Sequence, residues 1–224
     1  MTVLLSLPHP KMIIMVADSR KITRRTPVDF NLQPIGDSYT ETGTMLKVFP
    51  VPGIGCATLW GDVTKVEKGF PEYLRLKRDD IQTVEDFRGL VETYLRDELK
   101  ADQDGEDVGF HIGGFMPDGI SKLFHVFWGL DRPYIEGQSP DYRSYFSSDA
   151  LALYNGRNDF VEPIIKLLVA LQEQVGISIF DDDPVQRIIV ADFVTRYISQ
   201  FTGDVGGDIH TVLITPQNKM LYFT

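Results

Sequence analysis

The hydrophobic pattern of this chain starts almost at its first residue. Two apolar runs, Val3 to Leu7 and Met12 to Ala17, are separated only by Pro8-His9-Pro10-Lys11. Two prolines in so short a connection predict a hairpin turn between strands. Chain ends ordinarily fray, so a leading segment built to lie inside a sheet calls for a reason. Met12 to Ala17 is far shorter than the roughly 20 residues that span a bilayer. Arg20, Lys21, Arg24 and Arg25 follow it where a signal peptide would carry a small-residue cleavage site, so no export address is read here.

Met45 to Val51 and Ile54 to Trp60 predict a second strand pair around Pro52-Gly53, whereas residues 19–43 are polar and read as an extended surface excursion. From Thr83 the period becomes helical: Val84, Phe87, Leu90, Val91, Tyr94, Leu95 and Leu99 form one stripe, with Thr83 and Asp86 as a capping pair. Residues 62–82 carry no clear element. Asp104-Gly105 is read as a break before two strands, Val108 to Phe115 and Leu123 to Trp128, around Met116-Pro117-Asp118-Gly119. Residues 129–150 show no period. Asn158 is expected to cap a helix through Val175, with Val161, Ile164, Ile165, Leu168, Leu171 and Val175 buried and Gly176 ending it. A second helix, from Pro184 to about Phe201, is expected to bury Val185, Ile188, Ile189, Phe193 and Tyr197. Thr211 to Ile214 and Met220 to Phe223 close the chain as strands. Hairpins dominate and alternating parallel crossovers are missing, which predicts antiparallel sheets packed face to face with helices outside. No repeat or linker divides the sequence, so a single domain over 1–224 is expected.

Several function classes are disfavoured. Lys plus Arg total 22 against 32 Asp plus Glu, a net charge of −10 that repels nucleic-acid backbones and acidic membrane surfaces. The lone cysteine, Cys56, permits no intrachain disulfide or thiolate cluster and fits a reducing, cytoplasmic setting. Within an apolar strand it reads as a packing residue rather than a nucleophile. His9, His111, His125 and His210 are scattered without metal-ligand spacing, and the glycine runs at Pro52 to Gly55 and Gly203 to Gly207 lack the lysine of a phosphate loop. No metal or cofactor is expected. Asp181-Asp182-Asp183 ahead of Pro184 is explained by the preference of negative side chains for a helix N-terminus.

The chemistry that remains lies at the beginning. Thr2 follows Met1, and a small second residue is the kind that initiator-methionine removal uncovers. A freed threonine carries a hydroxyl nucleophile and an amine base on one residue, and an α-amine with a pKa near ~8 is partly neutral at physiological pH.

Met1-Thr2-Val3-Leu4, the strand ending Met15-Val16-Ala17-Asp18-Ser19-Arg20, and Gly43-Thr44-Met45-Leu46-Lys47-Val48 together resemble the N-terminal part of proteasome β-type subunits and their bacterial relatives, which are N-terminal-nucleophile hydrolases. Thr58-Leu59-Trp60-Gly61-Asp62, Phe110 to Phe115 and Val205-Gly206-Gly207-Asp208-Ile209 extend the resemblance over nearly the whole chain. It implies an α+β four-layer αββα sandwich of two antiparallel sheets. It implies Thr2 as nucleophile, Asp18 sixteen residues later as orienting carboxylate, Lys47 as the tuning ammonium and Gly61 as oxyanion donor. Arg20 is expected to support Asp18 or its loop. Asn155 and Asp204 stand nearest to positions where the family carries supporting Ser and Asp residues, although the Asp204 register is off by about two and Val205 has no hydroxyl. The implied activity is peptide-bond cleavage in a ring or helical homo-oligomer acting on peptide or unfolded protein, with any ATPase partner left open. Two alternatives stand beside it: a scaffold subunit that has lost activity, and a small-molecule amidase on the same fold.

Overall fold

A computed structural model of the chain describes residues 2–25, 33, 39–61, 66–100, 108–128, 143–146, 153–156, 158–175, 183–203 and 205–224. Strands β1 (Val3–His9) and β2 (Met12–Asp18) pair antiparallel from Leu4 opposite Ala17 to His9 opposite Met12, so that Pro10 and Lys11 alone make the turn. Pro8 and His9, expected in the connection, continue the strand. With β10 (Leu153–Gly156), β11 (Ile209–Ile214) and β12 (Met220–Phe223) they form a five-stranded antiparallel sheet of order β10-β1-β2-β11-β12. A second five-stranded antiparallel sheet runs in chain order through β5 (Val48–Val51), β6 (Gly55–Gly61), β7 (Val108–Phe115), β8 (Ser121–Trp128) and β9 (Arg143–Phe146).

Alternate strand residues feed different cores. Val3, Leu5, Leu7, Ile14 and Val16 pack with α3 (Asn158–Val175) and α4 (Pro184–Phe201). Their neighbours Leu4, Ile13, Met15 and Ala17 pack against Cys56, Trp60, Leu123 and Phe127 of the second sheet. On that sheet's other face, Phe49, Leu59, Phe110 and Ile112 meet α1 (Val66–Leu76) and α2 (Val84–Thr93). Both faces of β1 and β2 are thus buried, which is why their sequences read as unbroken apolar runs. The architecture is mixed α/β with antiparallel sheets. Among the described residues, no helix is long and apolar enough to cross a membrane.

The capping pair ahead of α2 forms as expected: Thr83 Oγ1 accepts from the Asp86 amide at 3.1 Å, and Asp86 Oδ2 accepts from the Thr83 amide at 2.8 Å. Other expectations are corrected. Part of the supposed surface excursion forms a two-stranded ribbon, β3 (Arg20–Arg25) with β4 (Tyr39–Thr44). Helix α1 occupies the stretch without a clear element, where Gly69 and Pro71 interrupt a helical reading. Residues Met45 to Lys47 precede strand β5 instead of beginning it. Strand β9 lies within the stretch that shows no period. Asn158 is the first residue of α3 rather than its cap, and Leu171 is 40% exposed instead of buried. The largest reversal concerns α4. Its buried residues are Arg187, Ala191, Val194, Thr195 and Ile198, whereas Val185, Ile189, Phe193 and Tyr197 face outward. The helix carries two apolar stripes, and periodicity favoured the one with the larger side chains. The inward stripe, which carries no aromatic side chain, packs against β1 and β2. Asp104-Gly105, Gly176, Asp181 and Asp182 lie outside the described residues; Asp183 caps α4 by accepting from the Val185 amide at 2.8 Å.

One polar element crosses the interior between the sheets. His111 Nδ1 meets Ser6 Oγ at 2.9 Å, and its Nε2 meets Asn155 Oδ1 at 2.7 Å. This resembles a Ser-His-Asn relay in connectivity, but Ser6 and His111 are fully buried and Asn155 nearly so, and the group satisfies its own polar atoms inside the core.

Phe110 is fully buried against the rings of Phe49 and Phe70. Phe110→Ala is expected to lower the unfolding free energy by about 3–5 kcal/mol in urea titration. A loss below about 1 kcal/mol would contradict the packing described.

Candidate active site

The β1–β2 register that sets Leu4 against Ala17 brings the residue before it, Val3, beside Asp18, and Asp18 Oδ1 accepts from the Val3 amide at 2.9 Å. Thr2, just outside the strand, is thereby fixed next to the same carboxylate. The spacing of Thr2 and Asp18 in the sequence is the path length of this hairpin. Lys47 arrives from the second sheet. It sits in the irregular segment before β5, where its carbonyl accepts from the Leu59 amide at 2.9 Å and the Met45 amide donates to the Ser19 carbonyl at 2.7 Å.

The Lys47 ammonium converges on three acceptors: Thr2 Oγ1 at 2.8 Å, Asp18 Oδ1 at 3.1 Å and the Arg20 carbonyl at 2.6 Å. The side chains of Lys47 and Asp18 are both 0% exposed. A buried ion pair is tolerated only when its geometry is good and its remaining lone pairs are used. Asp18 meets that condition, because its Oδ2 accepts from the Arg20 amide and from the Gly206 amide, each at 3.2 Å. An ammonium donating to a hydroxyl oxygen favours the deprotonated form of that hydroxyl.

Arg20 acts on this cluster through its main chain: the amide reaches Asp18 and the carbonyl reaches Lys47, while Nη1 donates to the Gly203 carbonyl at 2.9 Å. The guanidinium lies so close to Gly206 that a Cβ there would come within 2.9 Å of Nη2. Gly61 ends β6, the strand joined to Lys47 through Leu59, with φ at 91°. Asn155 is not part of the cluster. It lies on β10, in the sheet beside β1, and its side chain is directed to His111. Asp204 lies outside the described residues.

Two contributors escaped the sequence reading. The Gly206 amide serves as a donor to Asp18, a role signalled only by the paired glycines Gly206-Gly207. Gly156 is the other. It sits opposite Val3 in register with φ at 102°, and a Cβ there would fall 1.5 Å from the Thr2 carbonyl oxygen. Any side chain at that position would collide with the Thr2 backbone.

Among the described residues, no group of three His, Cys, Asp or Glu side chains is placed to hold a metal ion. Cys56 is fully buried, and burial pushes its thiol up to about 12, so it holds no thiolate near neutral pH.

Gly156→Ala is expected to lower unfolding free energy by more than about 1 kcal/mol through its backbone conformation and to separate Thr2 Oγ1 from Lys47 Nζ. A crystal structure of that variant with the 2.8 Å contact intact would contradict the tight approach.

No protein-family model matches the chain, and no curated protein matches it. Solved structures do. The chain is similar to Anbu from Yersinia bercovieri, described as an ancestral beta-subunit, with a TM-score of 0.67 at 14% identity over 99% of this chain and 87% of that one. It is similar also to Anbu from Hyphomicrobium sp. strain MC1, with a TM-score of 0.64 at 11% identity over 99% of this chain and 86% of that one. The resemblance to proteasome β-type subunits does not stand as a family assignment, since no family model supports it and the likeness at these identities reaches the fold alone. What stands is the fold: the chain shares the proteasome-like fold of Anbu.

Proposed function

We propose that the chain is a threonine-type N-terminal-nucleophile hydrolase that cleaves peptide bonds by acyl transfer once the residue before Thr2 is removed. The observation that carries this reading is the buried Lys47 ammonium, 2.8 Å from Thr2 Oγ1 and 3.1 Å from Asp18 Oδ1. Thr2 Oγ attacks the substrate carbonyl, and its proton passes to the freed α-amine. That ammonium returns the proton to the departing amine as the C–N bond breaks. Water then attacks the ester, the α-amine takes a proton from it, and Thr2 Oγ recovers that proton as the acid leaves. Lys47 holds positive charge beside the oxygen, Asp18 holds Lys47, and the Gly61 amide faces the developing oxyanion. Arg20 is a positioning residue that acts through Asp18 and Lys47.

The accompanying fold reading is a four-layer αββα sandwich in one domain over 1–224. Its support is the set of three apolar clusters, one between the sheets and one beneath each helical layer. The same reading has the chain assemble into a ring or helical homo-oligomer that acts on peptide or unfolded protein. A second reading is an inactive scaffold in which Met1 stays attached. With that residue attached, the Thr2 nitrogen is an amide and cannot serve as base.

Hydrolysis of fluorogenic peptides by protein beginning at Thr2 tests the proposal. Thr2→Ala and Lys47→Ala are each expected to lower kcat by at least about 1,000-fold. Unchanged turnover in Thr2→Ala removes the mechanism, and no turnover in folded protein with Thr2 free favours the scaffold.

A further inference from the structure

Thr2 immediately precedes β1, an inner strand with β2 on one side and β10 on the other. On the β2 side it is held through Asp18, which accepts from the Val3 amide at 2.9 Å. On the β10 side it meets the Gly156 backbone, packed so closely that a Cβ there would strike the Thr2 carbonyl oxygen. Whatever fixes β10 therefore fixes one wall of the nucleophile. β10 is four residues long and lies at the edge of its sheet, and Asn155 is its one buried residue. An edge strand this short is pinned by few contacts, so the anchoring of Asn155 governs its chain neighbour Gly156.

The anchor is His111. Its Nε2 meets Asn155 Oδ1 at 2.7 Å. A carbonyl oxygen only accepts, so Nε2 donates, and Nδ1 accepts from the Ser6 hydroxyl at 2.9 Å. One ring of the second sheet thus bridges β10 and β1, the two strands whose register sets Gly156 against Val3. The ring stands edge-on to His125, its partner in the β7–β8 register, with centroids 5.0 Å apart. His125 in turn stacks on Phe127 and accepts from Trp60 Nε1 at 3.1 Å. His111 and Asn155 are 0% and 3% exposed, so both have already given up water and their bond resists displacement.

We propose that His111 is a positioning residue for Thr2: through Asn155 it locks β10 in register, so that Gly156 backs the Thr2 main chain and keeps Thr2 Oγ1 2.8 Å from Lys47 Nζ. The role is geometric, and no proton transfer runs through the ring. The kinetic consequence rests on the proposed hydrolase reading, whereas the structural consequence holds with or without turnover. The buried Ser6-His111-Asn155 group thereby acquires a task beyond satisfying its own polar atoms.

Kinetics on fluorogenic peptides with protein beginning at Thr2 provide the first test. His111→Ala and Asn155→Ala are each expected to lower kcat about 10- to 100-fold with KM changed less than about 3-fold. Both remove one and the same bond, so the double variant is expected to lose no more than either single one. Asn155→Ala, at a sheet edge, does so with less loss of packing. Phe110→Ala is the control for stability: its side chain leaves β7 on the opposite face, and kcat is expected to stay within about 2-fold. A crystal structure of Asn155→Ala gives a readout independent of activity. Thr2 Oγ1 is expected beyond about 3.5 Å from Lys47 Nζ, outside hydrogen-bond range, with the Lys47–Asp18 pair in place. Losses that multiply in the double variant, a kcat in Phe110→Ala as low as in His111→Ala, or an Asn155→Ala structure that keeps the 2.8 Å contact overturns this proposal. A wild-type chain without turnover overturns the hydrolase reading alone, and the Asn155→Ala structure then decides the positioning role by itself.

Discussion

A lysine ammonium and an aspartate carboxylate excluded from water, with a threonine hydroxyl as the third partner, set the terms for the rest of this structure. Such a pair survives burial only if every remaining lone pair of the carboxylate finds a donor. Three pieces of chain supply them: the Val3 amide at the start of β1, the Arg20 amide two residues beyond Asp18, and the distant Gly206 amide before β11. Lys47 reaches the pair from the opposite sheet and is held there by the Leu59 amide. The packing of one sheet on the other is therefore what brings the cation to the hydroxyl. A shift between the layers would leave Asp18 charged and unpaired in the interior.

Much of the site was legible because it is local. Thr2 and Asp18 lie on the two arms of one hairpin, so their spacing and the apolar runs between them contain the geometry. Lys47 was singled out through its neighbours rather than through distance, and its ammonium lies 2.8 Å from Thr2 Oγ1. Asn155 illustrates the limit. Its partner His111 is 44 residues away in sequence, and no local pattern indicates that the two strands carry them to opposite sides of one interior space. Backbone donors leave little trace in sequence: the Gly206 amide and the Arg20 carbonyl do work that residue types do not advertise, and Gly156 matters for the side chain it lacks.

The fold divides in the same way. Runs buried on both faces, as in β1 and β2, announce themselves, and so does a capping box such as Thr83 with Asp86. Helix α1 does not, because Gly69 and Pro71 break its signal while Val66 and Phe70 still supply enough apolar surface to dock it. The ribbon of β3 and β4 is polar along its length and has no alternation to read. Helix α4 was legible in extent and misread in orientation, since hydrophobicity ranks side chains without regard to which stripe of the helix meets the sheet.

The central claim is that the Thr2 hydroxyl, with its own amine freed, is an acyl-accepting nucleophile made competent by Lys47 and Asp18. Intact-mass and fragment analysis after treating the chain that begins at Thr2 with a peptide epoxyketone, a reagent that needs both a hydroxyl and an adjacent free amine, tests it most directly. One covalent adduct located at Thr2, lost in Lys47→Ala, is the predicted result. A folded chain with its threonine amine free that acquires no adduct at Thr2 would contradict the account.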